Sequence, residues 1–325
     1  KLGIGGNFLS CIQDMYRDVS YCIKLPDGIT NPITSNVGVK QGCVLSPTLF
    51  NIFLSDLPEV FDDSCAPVTL YDINLNCLMF ADDIVLFSES ASGLQNTIDK
   101  LNTYCQKWKL TINVDKTKVV IFNKGGHNIN RYKFFLDKHQ LDIVRSYTYL
   151  SITFSNSGCF TLAIKNLQDK ALKAFYFFKQ VDMRNNALLA IKLFDSLITP
   201  ILSYGCEAWG VFLLKNLNEN NFLQLCNSQI FEKINIKFCK YLLGVHRKSS
   251  NLAVLGELGR YPLFIKHMSL IISNWRRICN MNTHSIIKKS YIDNLLWSTE
   301  ISKFYCSIIW HVLNILKLEN IWDNQ

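Results

Sequence analysis

The feature that most constrains this chain is a change of hydrophobic rhythm at about residue 158. Before it, short apolar runs alternate with turn residues. After it, apolar residues recur at helical spacing almost to the end. Strand runs and amphipathic helices without regular βαβ spacing predict an α+β class for the first part, with a largely antiparallel sheet. The remainder reads as packed helices, with a break between Leu213 and Asn221, where Asn and Glu gather. The expected domains are therefore 1–158, 159–213 and 214–325.

Within the first part, Leu9, Ile12 and Tyr16 mark an amphipathic helix between Leu2 and Cys22, and Pro26-Asp27-Gly28 marks a turn between short strands. Ser46-Pro47 reads as a helix start, with Ser46 as N-cap and Pro47 at the first helical position. Val68–Leu70 and Leu75–Met79 read as strands around a turn at Asp72-Ile73-Asn74. Ser92 with Gln95 resembles a capping box for a helix whose stripe is Leu94, Ile98, Leu101, Cys105 and Trp108. Val119–Phe122 and Tyr149–Phe154 read as further strands, with Gly125-Gly126 as a turn.

Composition narrows the function classes. An apolar fraction of 49% in 325 residues fills a sizeable core. Lys and Arg number 34 against 26 Asp and Glu, a net +8 that favours an anionic partner such as nucleic acid. Twelve cysteines form no Cys-x-x-Cys pair, and the six histidines complete no zinc spacing, which fits a reducing intracellular compartment, nucleus or cytoplasm. Polar residues interrupt the apolar runs Tyr261–Trp275 and Phe304–Leu318, which read as buried helices rather than membrane spans.

Chemistry concentrates at Met79-Phe80-Ala81-Asp82-Asp83-Ile84, where two adjacent carboxylates cap an apolar hairpin. Neighbouring anions repel, and magnesium removes that repulsion through hard oxygen ligands. Asp82 is the better candidate for direct coordination, with Asp83 supporting the same site. A turn in which both aspartates merely face water uses the same residues. Gly42 permits close backbone approach by a base or sugar, and Gln41 offers both donor and acceptor. Lys116 and Lys118 lie where an ammonium can meet a triphosphate or phosphodiester, with Thr117 fixing the turn. Lys165, Lys170, Lys173, Lys179 and Arg184 line a basic helix face over Leu162, Leu167, Ala171, Phe175 and Phe178. Tyr204-Gly205-Cys206-Glu207-Ala208-Trp209-Gly210 reads as a packing corner in preference to a platform that sets aromatics near bases.

Taken in order, these segments resemble the reverse transcriptase of LINE-type retrotransposons lacking long terminal repeats. Gly38-Val39-Lys40-Gln41-Gly42-Cys43-Val44-Leu45-Ser46-Pro47 looks like its Gln-Gly substrate and template motif. Leu78-Met79-Phe80-Ala81-Asp82-Asp83 looks like its catalytic hairpin, with Phe80 at a position where tyrosine is also familiar. Leu110–Lys118 looks like the next palm motif and Tyr149-Leu150-Ser151-Ile152 like the primer grip, where Ser151 replaces an expected glycine.

The resemblance implies a partial polymerase palm followed by a helical thumb or connector and a helical C-terminal region. It implies RNA-directed DNA polymerisation with Mg2+, an RNA template, a DNA primer and deoxynucleoside triphosphates. It places Asp82, Asp83 and Lys116 in catalysis, and Gln41, Gly42, Phe80 and Lys118 at the nucleotide and template. Tyr149, Leu150 and Ser151 hold the primer. A further metal-binding aspartate and the fingers are expected upstream, so the isolated chain is expected not to synthesise DNA and to expose a sheet edge prone to pairing. A noncatalytic nucleic-acid-binding remnant and a generic interaction domain remain the alternatives.

Overall fold

Short strands and helices alternate up to residue 155, and helices follow from Thr161, as the hydrophobic rhythm predicts. The computed structural model describes residues 3–35, 38–40, 42–127, 131–180, 183–298 and 304–323. The chain forms two compact units. The first comprises Lys1–Val68 and Leu75–Thr111, the second Thr69–Asn74 and Ile112–Gln325.

The first unit opens with α1 (Gly6–Tyr16), shorter than the Leu2–Cys22 span expected and with no buried residue. Extended backbone at Arg17 ends it. Strand β1 (Ser20–Tyr21) pairs antiparallel with β4 (Ile33–Thr34) around a tighter pair, β2 (Lys24–Leu25) and β3 (Gly28–Ile29), joined at Pro26-Asp27. Helix α2 (Ser46–Phe53) begins at Ser46 itself, without a side-chain cap. Ser46 is not the N-cap because its buried hydroxyl is engaged elsewhere: it donates to the Lys40 carbonyl at 2.6 Å and lies 3.0 Å from the Tyr16 hydroxyl.

Strands β5 (Val68–Leu70) and β6 (Ile73–Leu75) pair across a turn at Tyr71-Asp72, one residue earlier than predicted. Strands β7 (Cys77–Phe80) and β8 (Asp83–Leu86) form the next hairpin. Helix α3 (Ala91–Trp108) is capped by Ser90, whose hydroxyl accepts from the Gly93 amide at 3.0 Å. The capping box expected at Ser92 does not form, since Gln95 instead donates to Asp99 one turn on, at 2.8 Å. The buried face of α3 is Gly93, Thr97, Ile98, Leu101, Tyr104 and Cys105, slightly rotated from the predicted stripe, with Trp108 at its exposed rim. A β-carbon on Gly93 would lie 2.6 Å from the Cys65 carbonyl oxygen, so only glycine permits this approach. Tyr104 donates to Asp56 at 2.5 Å, and burial, then that carboxylate, raises its phenol above the ordinary range.

In the second unit, β9 (Lys118–Val119) runs parallel to β11 (His139–Ile143), which pairs antiparallel with β10 (Phe134–Leu136). The predicted strand Val119–Phe122 is ladder-paired only at its first residue. Strands β12 (Ser146–Tyr149) and β13 (Ile152–Ser155) make the last hairpin.

The helical part begins with α4 (Thr161–Gln180), which buries Ala163, Leu167, Ala171, Phe175 and Phe178 along one face. There follow α5 (Ala187–Leu193), a π-turn over Phe194–Ile198, α6 (Thr199–Ser203) and α7 (Cys206–Trp209). Pro200 has no N–H to close a regular ladder, and the widened turn stands just before it. Then come α8 (Phe222–Ser228), α9 (Ile230–Leu242), α10 (Asn251–Glu257), α11 (Leu263–Cys279), α12 (Ile286–Ser298), α13 (Tyr305–Ile315) and α14 (Glu319–Asp323).

Their shared core holds Phe194 stacked on Phe238, ring centroids 4.1 Å apart, with Trp209, Phe264, Ile271 and Trp275 fully buried. Each such side chain contributes roughly 2–3 kcal/mol on leaving water. Arg260 grips Asp195 through two nitrogens at 2.8 and 3.0 Å and lies over the rings of Phe194 and Phe238. Buried Glu232 accepts from Asn235 at 2.8 Å and from the Phe264 amide at 3.2 Å; burial nevertheless raises its carboxyl above the ordinary value.

No single helix among the described residues is long and apolar enough to cross a membrane. All twelve cysteines are free thiols, and seven of them are buried.

His267 lies in this core with Nε2 3.0 Å from the Ser203 hydroxyl and edge-on to Trp209. Burial, then the Lys266 charge, lowers its imidazole to about 4. Between pH 6.5 and 4 the unfolded chain therefore takes up a proton that the folded chain refuses, and stability falls as pH falls. We predict that this site removes up to about 3 kcal/mol across that window. In urea titrations from pH 7 to 4, the stability advantage of the wild type over His267→Gln should shrink steadily.

Candidate active site

The β7–β8 hairpin closes through a two-residue turn, Ala81-Asp82, between the opposed pair Phe80 and Asp83. Ala81 takes a φ of +53°, the left-handed backbone that the commonest two-residue hairpin turns place at their first central position. Directly opposed residues share a face, so Asp83 and Phe80 lie with Leu78 and Val85, while Met79, Ile84, Cys77 and Leu86 occupy the reverse side. Cys77 is buried, whereas Phe80 is 63% exposed, so the Asp83 face opens to solvent. The Phe87 amide donates to the Asn76 carbonyl at 2.7 Å and closes the hairpin's base.

Asp82 and Asp83 are both exposed, and neither carboxylate bonds to another described residue. Among the described residues no group of three His, Cys, Asp or Glu converges on a common point. Two carboxylates nonetheless fit magnesium, which binds through one or two carboxylates together with substrate phosphates and water. Asp82 and Asp83 are the residues that would hold it.

Gly42 lies in the same unit at a φ of +82°, with open space around the position a β-carbon would take. Its backbone is thus accessible to a ligand. Gln41 lies outside the described residues. Beside Gly42, the Leu45 amide and then the Tyr16 hydroxyl hold the Cys43 thiol below its ordinary value. Sequence reasoning passed over Cys43, because a lone cysteine before a helix carries no spacing signal.

The basic candidates belong to the second unit. The Lys116 amide donates to Asn113 Oδ1 at 3.1 Å, Thr117 Oγ1 donates to the Asn113 carbonyl at 2.8 Å, and the Tyr147 hydroxyl donates to the Lys116 carbonyl at 3.0 Å. Thr117 thus fixes the turn, and the Lys116 ammonium stays in solvent. Lys118 is committed differently: its Nζ lies 2.6 Å from Asp142 Oδ2, across the β9–β11 ladder.

Tyr149, Leu150 and Ser151 form the tip of the β12–β13 hairpin. Leu150 and Ser151 take φ values of +46° and +66°, the consecutive left-handed pair of a type I′ turn, where glycine is favoured at the second site. The Leu150 carbonyl accepts from the Tyr204 hydroxyl at 2.8 Å, and Trp209 Nε1 donates to the Tyr204 carbonyl at 2.8 Å. With Trp209 and Cys206 buried, the Tyr204–Gly210 segment is the packing corner expected, and it braces the hairpin tip. On α4, Lys179 lies over the Tyr241 ring.

The reverse transcriptase (RNA-dependent DNA polymerase) family model matches residues 7–154, a span that contains every candidate named at these turns up to Ser151. The chain is 30% identical over 200 residues to the RNA-directed DNA polymerase from mobile element jockey of Drosophila melanogaster, covering 58% of this chain and 21% of that protein. It is 28% identical over 226 residues to a retrovirus-related Pol polyprotein from a type-1 retrotransposable element R2 of Popillia japonica, covering 64% and 34%. A similar polyprotein from the type-2 element R2DM of Drosophila melanogaster is 31% identical over 164 residues, covering 48% and 15%. The chain thus spans about a fifth to a third of the length of the first relatives it matches.

These matches, with small sheets followed by packed helices, define a reverse-transcriptase-like domain. Within that class, the chain is homologous to the reverse transcriptases of LINE-type retrotransposons.

The backbone at Ser151 generates a direct test. Left-handed backbone strains a side-chain-bearing residue by about 1–2 kcal/mol, part of which glycine's greater chain entropy offsets. Ser151→Gly should therefore stabilise the protein by about 0.5–1 kcal/mol, and Ser151→Val should destabilise it. Denaturant midpoints of the two variants check both signs.

Proposed function

We propose that this chain forms part of an RNA-directed DNA polymerase that adds deoxynucleotides to a DNA primer on an RNA template. The observation that carries the reading is the exposed Ala81-Asp82 turn, where Asp82 and its neighbour Asp83 offer two carboxylates without a partner among the described residues, inside the region matched by the reverse-transcriptase family. In this reading Asp82 and Asp83 hold magnesium, which when bound supplies the positive charge that phosphoryl transfer requires. Phe80 shares the Asp83 face and offers an apolar ring beside the nucleotide. Gln41 and Gly42 meet the base and sugar, and glycine at position 42 lets them approach the backbone closely.

Lys116 keeps its ammonium available for phosphate oxygens. Lys118 contributes on exchanging Asp142 for an anionic ligand. Tyr149, Leu150 and Ser151 hold the primer, on a tip that Tyr204 stiffens. Residues 1–158 act as a partial palm, 159–213 as thumb or connector, and 214–325 as a helical C-terminal region. The protein works inside the cell, in the nucleus or cytoplasm, where its free thiols stay reduced.

In this reading one further acidic group, the upstream aspartate that the resemblance implies, completes the metal centre. The isolated chain therefore binds nucleic acid without extending primers. The basic face of α4 supports a second reading, in which the chain acts only as a nucleic-acid-binding module.

Primer extension separates these readings. The 325-residue chain alone should not extend an RNA-templated primer, while the chain completed with upstream palm residues should do so in a magnesium-dependent manner. Asp82→Asn in the completed protein should lower the extension rate by about 10²–10³-fold, the scale for losing one group that stabilises transition-state charge, with primer–template binding retained. A completed protein that folds and binds primer–template but never extends it would favour the binding module.

A further inference from the structure

The β5–β6 hairpin carries a contact that the polymerase reading leaves unused. Its tip, Thr69–Asn74, belongs to the second unit, although the chain on both sides belongs to the first. Two bonds to α12 hold that tip. The Tyr71 amide donates to Asp293 Oδ1 at 3.2 Å, and Lys289 Nζ lies 2.8 Å from Asp72 Oδ1. Lys289 and Asp293 stand one turn apart on one face of the helix, so a cation meets the tip's carboxylate while an anion meets its amide. The contact is reciprocal, which an accidental surface pair has no reason to be.

Two features raise it above an ordinary surface ion pair. The Lys289 side chain is only 13% exposed, so its charge is partly withdrawn from solvent. Tyr71 takes a φ of +55°, a costly backbone for an aromatic residue, and one that persists where surrounding contacts determine it. Thr69 Oγ1 lies 3.2 Å from Asn74 Oδ1 and braces the strands behind the turn.

From Asn74 the chain reaches the catalytic hairpin at once. Asn76, two residues on, accepts the Phe87 amide that closes the base of β7–β8. The chain held at Asp72 runs through β6, Asn76 and β7 to Asp82.

We propose that Lys289 and Asp293 are positioning residues for the Asp82-Asp83 hairpin, acting through a clip that α12 closes on the Thr69–Asn74 tip. The functional part rests on the polymerase reading; the mechanical part does not. The C-terminal helices thereby help to set the order of the catalytic hairpin, and loss of the clip loosens it without touching its side chains.

Hydrogen exchange on the full chain tests the mechanical part. Lys289→Glu should speed exchange of the amides in 69–74 and, by about fivefold, in 77–86, the change expected for losing a contact worth about 1 kcal/mol, while α3 exchanges as in the wild type. Adding Asp72→Lys to Lys289→Glu should restore protection. Faster exchange confined to 69–74, or no change in either segment, would overturn the clip. Should α3 also lose protection in Lys289→Glu, the milder Lys289→Ala, read at the same two segments, decides.

In the completed polymerase, kcat should fall about fivefold with Lys289→Glu and recover in the charge-swapped pair, with primer–template affinity unchanged. A completed wild type that never extends primers would sink the polymerase reading and leave the exchange experiment to judge the clip alone.

Discussion

Four of the two-residue hairpin turns among the described residues place left-handed backbone on residues that carry side chains. Tyr71, Ala81, Asp137 and Leu150 each stand first in such a turn with positive φ, and Ser151 follows Leu150 in the same region. Right-handed strand twist favours these turns, while chirality penalises each non-glycine residue in them. The strain is tolerable because each turn is held from behind: by ladder pairs at Ala81 and Asp137, by Tyr204 at Leu150, and by α12 at Tyr71. The carboxylates, the tip assigned to the primer and the clip all sit on backbone of this kind.

Much of this could be read from the sequence. The carboxylate hairpin was legible because Asp82-Asp83 interrupts apolar strands, and the change to helices was legible because the apolar period changes with it. Turn and cap positions slipped by one or two residues where chemistry rather than composition decides. Ser90 and Ser92 are equally good caps by type, and the close approach of Cys65 to Gly93 selects the earlier helix start. Ser46 looked like a cap and proved to be a tether, since the acceptor it needs, the Lys40 carbonyl, has no signature in sequence.

The buried polar network of the helical unit was likewise invisible. In the fold, Arg260 reaches Asp195, 65 residues earlier, and covers two stacked phenylalanines. Long-range pairs of this sort depend on the packing of the π-turn after α5, α9 and the loop before α11, which no local pattern encodes. The basic stripe on α4 was legible as a stripe, yet the Tyr241 ring beneath Lys179 was not.

A unit interrupted in sequence also has a timetable. Tyr71 and its partner Asp293 are separated by 222 residues, so during synthesis the hairpin tip leaves the ribosome long before the helix that seats it. At usual elongation rates the wait is roughly 10–45 s, during which a strained turn and its exposed strand edges have no native neighbour. The hairpin tip can seat only after α12 has emerged.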